Sequence, residues 1–144
     1  MYSKILVPID TTYGTSAWLK GSLQRAWDLA QKSGGELHLI AVIPDNLLKG
    51  YYPDIYSVSV ENDVRKKLET IAKELLPTNA RVKIHIEKGG ICSEILRVAR
   101  EIKASEIVIA SHGPVLKDYL IGSNAGHIAL HAPCSVFVIR ETGD

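Results

Sequence analysis

Residues 106–124, EIVIASHGPVLKDYLIGSN, contain the densest group of residues that could do chemistry. The stretch begins with a run of Ile and Val that is typical of a buried parallel strand, and this run ends in Ser111-His112-Gly113. A loop follows, and Gly122-Ser123-Asn124 then opens a helix-like pattern. Glycines let a backbone approach a phosphate closely, and the first N–H groups of a helix favour an anion. The stretch therefore predicts a phosphate site.

The elements that must position this site alternate along the chain. Apolar runs predict strands over residues 4–10, 36–42, 81–87, 106–111 and 134–140. Helical periodicity predicts helices over about residues 17–32, 60–76, 91–102 and 123–132, and residues 47–57 predict a long connection without a clear period. Five strands alternating with four helices predict an α/β fold, a doubly wound parallel sheet of strand order 3-2-1-4-5 with helices on both faces.

In a sheet of this order, ligands bind at the carboxyl ends of the strands, where the winding reverses between strands one and four. The first strand, KILVPID, ends on Asp10, so Asp10 is expected beside Ser111, His112 and Gly113. Pro8 has no N–H for a ladder, and the first strand is therefore expected to leave the sheet there. Separately, Asp10 could cap a helix, Gly113 could only mark a turn, and Ser123 or Asn124 could be a simple N-cap.

Composition excludes several classes of protein. The 144 residues fit one domain, 1–144, and no apolar run approaches the ~20 residues that span a bilayer. The opening MYSKILVPID lacks the architecture of a signal peptide, so we expect a cytoplasmic protein without membrane insertion. With 17 Lys and Arg against 16 Asp and Glu, no net field favours nucleic acid.

Other chemistry finds little support in the sequence. Cys92 and Cys134 do not form a CxxC motif and are interpreted as reduced packing residues. His127 and His131 lie one helical turn apart, but helix surface or core packing is favoured over a metal site. No GxxxxGK[ST] motif and no nucleophile elbow occur, so neither a P-loop hydrolase nor a hydrolase of the Ser-His-Asp type is predicted.

Over essentially the whole chain the residues resemble the universal stress protein family. The resemblance rests on KILVPID, a second strand ending at Val42, IVIASHG, GSNA and the terminal SVFVIR. The family's nucleotide signature is G-2x-G-9x-G-[S/T]; here Ala110 stands at the first glycine, and eight residues separate Gly113 from Gly122. The form ASHGPxxxxYLIGSNA is similar to a short-loop, single-domain bacterial subgroup whose members bind ATP.

The resemblance implies a Rossmann-like, adenine nucleotide alpha hydrolase-like fold that binds ATP, with or without Mg²⁺. It also implies a homodimer through the last strand, Ser135–Arg140. No catalytic or metal-ligating residue is predicted. The resemblance implies two groups of ligand-binding residues. The residues near the adenine and ribose are Pro8, Asp10, Val42 and Ala110, and those near the phosphates are His112, Gly113, Gly122, Ser123 and Asn124. Ser111, between Ala110 and His112, is also implied as a binding residue.

Three functional hypotheses follow. The first is a stress-response binding module in which ATP orders the loop before Gly122 and changes the surface offered to an unknown protein partner. The second is a slow ATP hydrolase in which His112 or Asp10 orients a metal-bound water. The third is a dimeric assembly protein with a vestigial cleft, because a terminal strand that is apolar on both faces would expose an unpaired ladder.

Overall fold

Strands and helices alternate along the whole of the structure, a computed structural model that describes residues 3–11, 17–44, 53–111 and 123–140. The buried runs of Ile, Leu and Val form the strands, and the amphipathic stretches between them form the helices. In chain order the elements are β1 (Lys4–Pro8), α1 (Ala17–Ser33), β2 (Glu36–Ile43), α2 (Pro53–Leu75), β3 (Val82–Lys88), α3 (Ile91–Ile102), β4 (Glu106–Ser111), α4 (Ser123–His131) and β5 (Ser135–Arg140).

The strands of the described residues form one parallel sheet in the order β3-β2-β1-β4-β5, which confirms the predicted order. At one edge, β3 has five half-buried residues and two exposed ones, one of which is Lys83. At the other edge, β5 carries Phe137, whose side chain is 42% exposed. The two edges of the sheet therefore differ in chemical character.

Two apolar cores lie on opposite faces of the sheet, because successive side chains of a strand point to opposite sides. Ile5, Val7 and Leu39 pack with α1 and α2 in the first core. Leu6 and Ile40 pack with α3 and α4 in the second core. Helices on both faces are what the predicted doubly wound arrangement requires.

Several predicted strand boundaries are wrong by one or two residues. Strand β1 ends at Pro8 rather than at residue 10, although the Ile9 N–H still donates to the Ile40 carbonyl at 2.8 Å. Strand β2 extends to Ile43, β3 covers Val82–Lys88 rather than 81–87, and β5 begins at Ser135 rather than at 134. Hydrogen bonding sets these ends, and the apolar pattern locates them only approximately.

Helix α2 begins seven residues before the predicted start at residue 60. The prediction of an irregular connection over residues 47–57 is wrong for residues 53–57, and residues 47–52 lie outside the described residues. Proline is accepted in the first turn of a helix, where its missing N–H has no partner to lose. Val58 is 57% exposed, so this part of α2 lacks the apolar period that burial imposes. None of the described helices is long and apolar enough to cross a membrane.

Gly35 and Gly126 should respond in opposite directions to substitution by alanine. A Cβ on Gly35 would contact Ser3 Oγ and lie 2.7 Å from the Ser3 carbonyl oxygen, which accepts the Glu36 N–H at 2.9 Å. We expect Gly35→Ala to destabilise the fold by about 1–3 kcal/mol. No described atom lies within 4 Å of a Cβ on Gly126, inside α4, so Gly126→Ala should stabilise by about 0.5–1 kcal/mol. Urea unfolding of the two variants measures both effects, and equal stability of Gly35→Ala and the parent would contradict the packing argument.

Candidate functional site

The carboxyl ends of three neighbouring strands meet at one edge of the sheet, because β2, β1 and β4 are adjacent and parallel. Pro8 ends β1 and Asp10 follows it, Val42 is the penultimate residue of β2, and Ala110 and Ser111 end β4. The structure therefore brings these five predicted residues to the same edge. Their role in binding a ligand stays a prediction.

The ladders on the two sides of β1 have different lengths. Toward β2, β1 pairs in register over all five residues, from Lys4 with Glu36 to Pro8 with Ile40. Toward β4, the pairs are Ile5 with Glu106 and Leu6 with Ile107. The ladder between β1 and β4 thus stops before either strand ends. We call the region beyond this end, where the winding of the sheet reverses and ligands bind in such sheets, the crevice.

Pro8 gives a physical reason for the early end of the ladder between β1 and β4. The backbone groups of alternate residues in a strand point to opposite neighbours, and Ile9 donates toward β2 while the Lys4 carbonyl accepts from Ser105, which precedes β4. Even-numbered residues of β1 therefore point toward β4, and Pro8 is the one that has no N–H to donate. The prediction that the chain leaves the sheet at Pro8 holds on the β4 side only, because Pro8 stays paired with Ile40 of β2.

Asp10 and Ser111 lie beyond the paired part of β1 and β4, on the two sides of the crevice. The register of β1 and β4, continued from Leu6 and Ile107, puts Asp10 level with Ser111. Asp10 is exposed and Ser111 is half-buried. A carboxylate at a strand end can accept hydrogen bonds from hydroxyl groups, and a serine hydroxyl can both donate and accept. The crevice can therefore recognise a polyhydroxylated ligand such as a ribose.

Ala110 lies within β4, half-buried, and pairs with Ile139 of β5. A glycine at this position would leave the backbone more conformational freedom and more room. The alanine keeps the N–H and C=O groups and adds one methyl group. Ala110 therefore differs from the glycine of the nucleotide signature by one methyl group and by a smaller conformational freedom of the backbone.

The first turn of α4 borders the same edge of the sheet. Ser123 is the first residue of α4, and the first turn of this helix contains no acidic residue. The helix dipole there is consequently not opposed by a carboxylate of its own first turn, and the free N–H groups of a first turn favour an anion. Asn124, the second residue, is exposed.

Cys92 is a contact of the site that the sequence analysis did not identify. Its Sγ lies 3.4 Å from Asn124 Oδ1 and 3.8 Å from the Asn124 carbonyl oxygen, so α3 is tied to the start of α4. Burial raises the pKa of the Cys92 thiol, which keeps the proton that it donates to Asn124. The Asn124 side chain also carries an NH₂ group whose two donors suit an anion. No spacing in the sequence indicates this contact, because it depends on how α3 and α4 pack.

Four predicted site residues lie outside the described residues or at their boundary. His112, Gly113 and Gly122 lie outside the described residues, and Ser123 is placed only as the start of α4. On the far side of α4 from its buried residues, His127 and His131 are exposed, with ring centroids 4.5 Å apart. In the described parts of the chain, no group of three His, Cys, Asp or Glu residues could hold a metal ion.

A family model supplies the decisive comparison. The model described as the universal stress protein family matches residues 1–140. The chain belongs to the universal stress protein family. The predicted universal stress protein fold, a doubly wound, adenine nucleotide alpha hydrolase-like sheet, is confirmed by its topology and by the solved structures that it resembles.

Three relatives show the extent of the similarity. Universal stress protein G of Shigella flexneri is 26% identical over 145 residues, which are 97% of this chain and 100% of that protein. The solved structure of hypothetical protein MJ0577 is 26% identical and has a TM-score of 0.82, covering 100% of this chain and 99% of that one. A universal stress protein from Archaeoglobus fulgidus, solved in complex with dAMP, is 21% identical with a TM-score of 0.65, covering 96% and 98%.

Proposed function

We propose that this universal stress protein is an ATP-binding regulatory module of the stress response, with the nucleotide in the crevice between β1 and β4. The observation that carries the proposal is the early end of the β1–β4 ladder at Leu6 and Ile107. This end lies at the switch point, where doubly wound sheets bind their ligands. The dAMP complex of the archaeal relative supports an adenine nucleotide as the class of ligand.

The proposed contacts divide the nucleotide among the strand ends. The Asp10 carboxylate accepts hydrogen bonds from the ribose hydroxyls, beside Pro8. Backbone groups at Val42 and Ala110 read the adenine edge and border the ribose. Ser111 and the amides at the start of α4, together with the Asn124 NH₂ group, meet the phosphates. His112, Gly113 and Gly122 complete the phosphate part of the site. Mg²⁺ would be bound together with ATP, coordinated by its phosphates.

The same proposal includes a homodimer formed through β5, Ser135–Arg140. Phe137 is 42% exposed on an edge strand, where unpaired N–H and C=O groups can form a ladder with another copy of the strand. Such self-pairing covers the edge and buries the aromatic ring. The nucleotide loop before Gly122 and the dimer then present one surface to a protein partner.

We extend the proposal to the organisation and location of the protein. The family match over residues 1–140 supports a single domain over 1–144. Cys92 and Cys134 are both free thiols, and burial raises the pKa of each. Unbridged thiols are usual in proteins that stay in the reducing cytoplasm, where we place this one.

A thermal-unfolding series with ATP, ADP, AMP and dAMP tests the nucleotide proposal, with GTP as the control for base recognition. A ligand whose free concentration is 100 times its dissociation constant stabilises the native state by about 2.7 kcal/mol. This corresponds to a Tm increase on the order of 10 °C. Mass spectrometry of nucleotide released by denaturing the purified protein identifies any retained ligand. Unchanged Tm values with every adenine nucleotide would overturn the proposal.

A further inference from the structure

A chain of three polar side chains crosses from β2 to β3 inside the sheet. His38 is only 2% exposed, and both of its ring nitrogens have partners. Its Nε2 lies 2.9 Å from Glu36 Oε1, and its Nδ1 lies 2.8 Å from His85 Nε2. The two imidazoles are stacked, with centroids 5.1 Å apart and planes 20° apart. These histidines belong to the face of the sheet that α3 covers, away from the α1 and α2 core.

The hydrogen-bonding pattern limits how many protons the two imidazoles can hold. A carboxylate only accepts, so His38 Nε2–H donates to Glu36. When both rings are neutral, His38 Nδ1 accepts from His85 Nε2–H. One added proton on His38 reverses that bond, because Nδ1–H then donates to His85 Nε2. A second proton would place two N–H groups against each other at 2.8 Å and break the contact.

Most of the charged groups around the pair disfavour a second proton. Beside Glu36, Lys83 Nζ lies 3.9 Å from Oε1, and Lys4 of β1 adds positive charge. The hydrogen bond from His38 lowers the pKa of Glu36, which keeps it ionised. Burial, then the charges of His38 and Lys83, lower the pKa of His85, whereas Glu101 of α3 opposes them. Glu101 is exposed, so its opposing charge is screened by solvent.

We propose that Glu36, His38 and His85 form a buried site for one proton that fastens the edge strand β3 to the sheet, and that a second proton releases this strand. The site joins residues on both strands of the β2–β3 pair, so its loss acts directly on the ladder from Leu37 with Val82 to Ile43 with Lys88. Release of β3 also separates Glu87 from Val42, its partner in that ladder.

The direction of the pH effect follows from the lowered pKa of His85. The unfolded chain protonates this histidine as pH falls through about 6.5, while the folded chain resists protonation until the pH reaches the lowered value. Between these values the unfolded state binds one more proton. The folding equilibrium constant therefore falls by up to about tenfold per pH unit, and the loss ends below the folded pKa.

His85→Gln removes the titration and keeps a donor, because a glutamine NH₂ group can donate to His38 Nδ1. The matched control is His127→Gln, which removes an exposed histidine of α4. We expect urea unfolding of the parent and of His127→Gln to show the steep loss below pH 6.5, and His85→Gln to show a shallower one. Hydrogen exchange of amides 82–88, corrected for the intrinsic pH dependence, should increase at pH 5 in the parent and much less in His85→Gln. Parallel pH profiles for all three proteins would overturn the proposal.

Imidazole ¹⁵N NMR of the parent protein gives a test that needs no variant. The proposal predicts that the His85 ring is protonated only below pH 6.5, because burial and the charges of His38 and Lys83 lower its pKa. Protonation of the His85 ring near pH 6.5, like that of a free histidine, would contradict the site even if His85→Gln failed to fold.

Discussion

Asp10→Ala is expected to weaken ATP binding by roughly 10- to 100-fold while leaving the fold intact. Asp10 is exposed beyond the end of β1, so its truncation removes no buried apolar contact. A hydrogen bond to a charged group contributes about 1.5–3 kcal/mol, and each 1.4 kcal/mol changes a dissociation constant by about tenfold. Isothermal titration calorimetry with ATP measures the change.

The matched control for this loss is Asp63→Ala, which removes an exposed carboxylate from α2 and carries the same change in net charge. Its affinity for ATP should equal that of the parent. Equal losses in both variants would mean that Asp10 acts only through the overall charge, and an unchanged affinity in Asp10→Ala would remove it from the site.

Phe137→Asp is expected to raise the dissociation constant of the dimer by at least about 100-fold. Phe137 lies near the centre of β5, and antiparallel self-pairing brings central residues opposite their own copies. The substitution removes a partly exposed aromatic ring and places two carboxylates close together, which costs several kcal/mol at an interface. Because the ring is 42% exposed, much of its surface lies outside the core of the isolated subunit.

Sedimentation equilibrium at micromolar concentration measures this change, with Val58→Asp as the matched control. Val58 is a 57% exposed apolar residue of α2, so its replacement introduces the same carboxylate elsewhere on the surface. The control should remain a dimer. A dimeric Phe137→Asp variant, or a monomeric parent, would contradict self-pairing through β5.

The order of the sheet was predictable because burial leaves a strong pattern in the sequence. Strands β1, β2 and β4 lie between two layers of helices, so their central residues are mostly apolar, whereas β3 alternates polar and apolar residues as an edge strand does. The start of α2 at Pro53 was not predictable in the same way. Its early turns include the exposed Val58, so they lack the amphipathic period that identifies a helix.

The site was predictable in its location and not in its geometry. Topology alone brings Asp10 and Ser111 to the same switch point. The crevice itself depends on whether the backbone nitrogen of Pro8, which has no hydrogen, is directed toward β2 or toward β4. The register of the paired strands decides this, and the sequence alone does not give the register. The contact of Cys92 with Asn124 and the pairing of His38 with His85 likewise depend on helix packing and strand register.

The unequal edges of the sheet limit how many copies can join. At the β3 edge, Lys83 is exposed, Lys88 is paired with Glu61, and Glu87 is paired with Arg97, so another strand would have to displace charged side chains. At the β5 edge, residues 135–139 carry no charge. A subunit in which one edge strand alone can pair binds one other subunit through its sheet. Assembly through the proposed β5 contact would therefore close at two subunits, and the exposed strand edge would not lead to growth into a fibre.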